Sequence, residues 1–156
     1  MTPKRIIGSN NITLDDARVL PAAPPHTYLG VAEQLLNGVD PLVAAGGPCA
    51  VPLAFVGGQV AECALKASLS NNGDDTRLRN TDLRHNLVEL WKLAQSEGLP
   101  IDPKPPPWLE RLSELHCWPY YIRYSTGVHL LVIPAPAEIQ AGLKALVQTV
   151  GRHIES

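Results

Sequence analysis

The sequence predicts an all-α, up-down bundle of about five helices, with an irregular or hairpin-like segment before the last one. Apolar residues recur at three- and four-residue spacing in most segments beyond residue 27. The 15 prolines of the 156-residue chain fall mostly at the boundaries of those segments, not inside them. The chain is 45% apolar and 18% charged, the make-up of one ordinary globular domain.

Residues 1–26 carry Pro21, Pro24 and Pro25 and little periodicity, so an N-terminal arm is expected there. Residues 27–156 form the helical domain. Thr27 is the expected N-cap of a first helix, with Tyr28, Ala32, Leu35 and Val39 on one face and Pro41 as its stop. A second helix runs from about Pro48 to Leu69. Val56, Val60, Cys63, Ala64 and Ala67 line one face of it. Its other faces are also apolar, which predicts a central position. Gly57 and Gly58 each cost about 1 kcal/mol of helix propensity, and close approach of a neighbouring backbone would explain them.

The polar stretch 70–81 predicts a loop. Thr81 or Asp82 then caps a third helix, with Leu83, Leu87, Leu90 and Ala94 in register and Gly98 and Pro100 at its end. Pro103 and Pro105 to Pro107 make a stiff connector. A fourth helix starts at about Trp108, with Leu109, Leu112 and Leu115, and stops before Pro119. Residues 120–133 are aromatic and β-branched around Ser125-Thr126-Gly127, which predicts a short hairpin or an extended loop. The last helix follows Pro134 and Pro136, with a stripe of Ile139, Leu143, Leu146, Val150 and Ile154. Glu138 in its first turn and Arg152 and His153 in its last suit the helix dipole.

Several function classes are excluded at this level. A net charge of −2 rules out a strongly basic nucleic-acid coat. Cys49, Cys63 and Cys117 are odd in number and lack paired spacing, which argues against a disulfide framework. His116-Cys117 alone supplies too few ligands, so no metal site is expected. No cofactor is expected either, since Gly46-Gly47 and Gly57-Gly58 lack the flanking residues of a phosphate loop. The start of the chain has no apolar signal region, and the run Leu42 to Gly58 is interrupted and short for a membrane span. A cytoplasmic protein without membrane contact is therefore expected.

One stretch is more specific than periodicity. Gln59, Ala61, Glu62, Leu65, Lys66 and Ala67 are followed, after a polar loop, by His85, Asn86, Leu87 and Leu90. Ile122-Arg123-Tyr124 lies further on. These three elements resemble the HEPN domain family, whose members show a Gln-x-Ala-Glu-x-x-Leu-Lys-Ala helix, a His-Asp-Leu helix start and an Arg-Tyr element before the last helix. Asn86 stands where the family usually has Asp. The resemblance spans residues 27–154. The Pro-rich connector and the apolar run after His129 depart from it. It implies an all-α bundle that is frequently a homodimer, with activities ranging from metal-independent ribonuclease to non-catalytic binding.

Ribonucleases of that family use an Arg and a His a few residues apart. The His takes the proton of a ribose 2′-hydroxyl and the Arg stabilises charge on the phosphate. Arg123 with His129 is the first candidate pair, and Arg79 with His85 the alternative; each has five residues between its members. Gln59, Glu62 and Lys66 share a helical face, expected to be a solvated stripe or a dimer contact in preference to a polar face that orients a catalytic or binding site, with Lys66 also a candidate ligand contact. Arg77, Arg79 and Arg84 are offset by Asp74, Asp75 and Asp82. Trp91 and Trp108 read as core. Trp118, together with Tyr120, Tyr121 and Tyr124, reads as a ligand or partner surface.

The leading expectation is a HEPN-like, non-catalytic binding or interaction protein of a defence or stress system. The alternatives are a toxin-type, metal-independent endoribonuclease and a small nucleotide-binding module built on residues 118–124. The expected partners are a second copy of the chain, RNA or a nucleotide, or another protein.

Overall fold

The computed structural model describes residues 23–124 and 130–156. Six α-helices occur among them: α1 (His26–Leu36), α2 (Val39–Ala45), α3 (Ala50–Leu69), α4 (Leu87–Ser96), α5 (Pro107–His116) and α6 (Pro136–Glu155). Short 3-10 turns cover Gly47–Cys49 and Thr76–Arg79. No strand occurs among the described residues. The protein is an all-α bundle, as the apolar spacing predicts.

α3 is its centre and packs against each of the other five helices. Leu53, Val60, Ala61, Ala64 and Leu65 are all buried along it. Small residues let the neighbours in. A Cβ on Gly57 would lie 3.2 Å from Ile139 and 3.3 Å from Leu143 of α6. On Gly58 it would lie 2.6 Å from the His116 ring of α5. Side chains, rather than the expected backbone, occupy the space that the two glycines leave. The stretch Gly47–Leu69, 23 residues, has the length and apolarity of a membrane span. Its burial on several sides and its internal ion pair are those of a bundle's central helix.

Three helix starts differ from expectation. The first predicted helix is two, α1 and α2, broken at Asn37-Gly38. Pro41 does not stop it but sits in the first turn of α2, where a missing N–H has no partner to lose. Thr27 is not a cap: α1 begins at His26 behind Pro25, and the Thr27 hydroxyl donates back to the Ala23 carbonyl at 3.1 Å. α4 starts at Leu87, not near residue 82. Asn86 caps it, its side chain accepting from the Glu89 N–H at 3.2 Å. Leu83 still packs against the core, but from a turn.

α5 and α6 close the bundle. Pro107 and Pro136 stand in their first turns, where proline is favoured. Trp108 lies against Gly142, where a Cβ would collide with the indole. The buried stripe of α6 is Ile139, Leu143, Leu146, Val147 and Val150. Between α5 and α6, residues 118–124 are mostly in turns, and 130–135 belong to no helix or strand. The predicted hairpin tip at Ser125–Gly127 and the candidate His129 lie outside the described residues, as does most of the predicted arm.

Candidate functional site

α3 carries Glu62 and Lys66 one turn apart, facing the gap between α4 and α5. Both are buried, Glu62 at 6% and Lys66 at 8% exposure. The Lys66 ammonium donates to Glu62 Oε1 at 2.6 Å. The other oxygen, Oε2, meets His116 Nε2 at 2.6 Å and His85 Nδ1 at 3.0 Å. His116 is the last residue of α5 and is 1% exposed. His85 stands in the turn before α4 and is half-buried. The absence of a side chain at Gly58, one turn before Glu62, is what allows the His116 ring to lie there.

Burial alone would raise the Glu62 pKa. The hydrogen bonds from His116 and Lys66 outweigh it and hold the carboxyl down to about 2. The carboxylate is therefore ionised at neutral pH and can only accept. It follows that His85 Nδ1 and His116 Nε2 carry the protons that Oε2 accepts. Beside Glu62, burial followed by the nearby carboxylate pushes the Cys63 thiol up to about 11, which leaves it unreactive.

His85 links this cluster to the surface. Its ring stands edge-on to Tyr120, centroids 5.6 Å apart. Tyr120 is the one non-glycine residue with positive φ among those described, at 64°. That left-handed turn brings Arg123 back over the Tyr120 ring at 5.5 Å, with Phe55 of α3 at 6.0 Å. Arg123 Nε is buried and has no hydrogen-bond partner among the described residues. Tyr124 packs edge-on to Tyr120, and Trp118 is 77% exposed. Next to this face a groove of about 260 Å³ runs between α5 and residues 130–132, lined by Arg111, Glu114, Tyr121 and Leu130.

The sequence candidates are thus distributed as follows. Trp118, Tyr121 and Tyr124 are exposed, as a ligand or partner surface requires. Lys66 is turned inward and bound to Glu62. The solvated stripe or dimer face expected of Gln59, Glu62 and Lys66 is corrected: Gln59 is half-buried and the other two are buried. The side chains of Arg79 and His85 are committed to different partners, Asp75 at 3.4 Å and Glu62. Arg123 is instead brought to the same tyrosine as His85. Arg77 is paired with Glu97 rather than left in a basic patch. Trp91 is core, its indole N–H donating to the Asp102 carbonyl at 2.7 Å, and Trp108 is half-buried.

His116 and Phe55 escaped the sequence reading as site residues. A signal for His116 exists: it is a polar residue beside the apolar Leu109, Leu112 and Leu115, at the end of a helix that must be buried. Cys117 is not its companion, since that thiol turns to the Trp118 carbonyl. Glu62 and His85 are, and the ligand-capable atoms of the three lie within 4.8 Å of one another. No family model matches the chain, and comparisons with curated proteins and with solved structures find no similar protein.

Proposed function

We propose that the chain is a HEPN-like binding module that holds single-stranded RNA or a nucleotide on the face made by Phe55, Trp118, Tyr120, Arg123 and Tyr124. The observation that carries this reading is the Arg123 guanidinium, lying against two aromatic rings with its Nε unpartnered among the described residues. A guanidinium held beside two rings by cation–π attraction presents its N–H groups as a fork that suits phosphate oxygens. Exposed aromatic rings beside it offer stacking platforms worth about 1–3 kcal/mol per base. Glu62 and His116 support the face from below by fixing His85, which abuts Tyr120.

The test is fluorescence anisotropy of a labelled single-stranded RNA at low salt with wild type, Arg123→Ala and Trp118→Ala. Binding that weakens at least tenfold in each variant is the expected result. Equal binding by all three, or none by wild type, overturns the reading.

A second reading is metal-independent RNA cleavage, favoured by the meeting of His85 and Arg123 at Tyr120. A carboxylate that fixes the imidazole through Nδ1 leaves Nε2 free to act as general base. Arg123 would stabilise the phosphate. It predicts cleavage in EDTA with 2′,3′-cyclic phosphate ends, abolished by His85→Ala, and growth arrest on expression. Intact RNA after incubation with wild type would leave the binding role alone.

A further inference from the structure

We propose that Glu62, His85 and His116 form a binding site for a zinc-class divalent cation, with Glu62 Oε2, His85 Nδ1 and His116 Nε2 as its ligands. Two imidazole nitrogens from separate elements converge on one carboxylate oxygen, at 3.0 and 2.6 Å. The three donor atoms all lie within 4.8 Å of one another. Two nitrogens and one carboxylate oxygen suit a borderline cation such as Zn²⁺ better than the oxygen-seeking Mg²⁺ or Ca²⁺. Metal–ligand distances of about 2.0–2.1 Å require the ligands to part slightly from their present hydrogen-bonded spacing. The ion would replace the two N–H protons now directed at Oε2, each imidazole moving its proton to the other nitrogen.

The surroundings are built for such a set. Lys66 takes Oε1 and leaves Oε2 to the other groups, an outer contact of the kind that orients a ligating carboxylate. Asn86 anchors the turn that carries His85 by capping α4, and Gly58 seats His116. His85 is 24% exposed in its side chain, which leaves a route for the ion and for a water in the fourth position. The Lys66 ammonium opposes a second positive charge nearby and so weakens the affinity relative to the same ligand set without it. The site adjoins the aromatic face through His85 and Tyr120, but it does not rest on what binds that face.

Cobalt(II) is the probe. The full chain, freed of metal by EDTA and then of EDTA, is titrated with Co²⁺ and followed by visible absorption. One equivalent should produce the intense band of four-coordinate cobalt, and Zn²⁺ should bleach it. Zn²⁺ should also raise the Tm of wild type, but not of His85→Ala. In wild type itself, ¹⁵N shifts of the imidazoles should change on zinc addition at His85 Nδ1 and His116 Nε2, a readout that needs no variant. Absence of the band, its persistence in folded His85→Ala, or a thiolate-to-cobalt band from one of the three free cysteines overturns the assignment. So does zinc addition that leaves both ring nitrogens unmoved.

Discussion

Around Glu62 the bundle gathers an ammonium and two imidazoles onto one carboxylate inside the fold. From Trp118 to Tyr124, a few residues beyond His116, the chain does the reverse. It holds an indole, three phenols and a guanidinium at or near the surface. Both regions are rich in polar and aromatic groups, and they touch through His85 and Tyr120. In the first, each group is already hydrogen-bonded to another of the cluster. The second has capacity left over. The contrast teaches that the two regions suit different ligands: converging donor atoms inside the fold suit a small cation, and rings and a guanidinium at the surface suit a larger, stacking one.

The sharpest way to break the contrast is to open the inner cluster. Glu62→Ala leaves a buried ammonium without its counter-charge, and unfolding by urea should show a loss of about 3–5 kcal/mol. Acid should act on the same group. Its pKa is lowered from 4.5 to about 2 on folding, so its contribution is complete above about pH 4.5 and is lost as pH falls toward about 2. Urea midpoints should drop over that interval in wild type and drop less in Glu62→Gln. Gly58→Ala comes next. The new methyl meets the His116 ring, and a cost of about 1–3 kcal/mol is expected by the same measurement. Asn86→Ala removes the cap beside His85 and should cost about 1 kcal/mol. At the other region Trp118→Ala should change stability by less than about 0.5 kcal/mol while weakening RNA binding. If it destabilised the fold as strongly as Glu62→Ala, the division between the two regions would collapse.

The helices were legible because apolar spacing and proline position act locally. The stripe of α6 and the central place of α3 follow directly from their residues. The start of α4 was misplaced because Thr81, Asp82 and Asn86 all offer an N-cap side chain; Leu83 has the right spacing yet packs from a turn. The break at Asn37-Gly38 was hidden by the continuous apolar pattern across it. At the site, Glu62 and Lys66 were visible as a pair but were given the wrong surroundings. An i,i+4 pair belongs on a surface in most helices, and only the apolar character of every face of α3 argues otherwise. The convergence of His85 and His116 on Glu62 depends on packing between residues 23 and 54 positions apart, which no local pattern encodes.

The three tryptophans give the molecule a built-in optical division. Trp91 is buried with its indole N–H bonded to Asp102, Trp108 lies half-covered on Gly142, and Trp118 stands almost free in water. A neutral collisional quencher such as acrylamide therefore dims chiefly Trp118 in the native protein and all three after unfolding. An occupant of the aromatic face would shield that one emitter, so its arrival can be followed in unlabelled protein by the quenching that disappears.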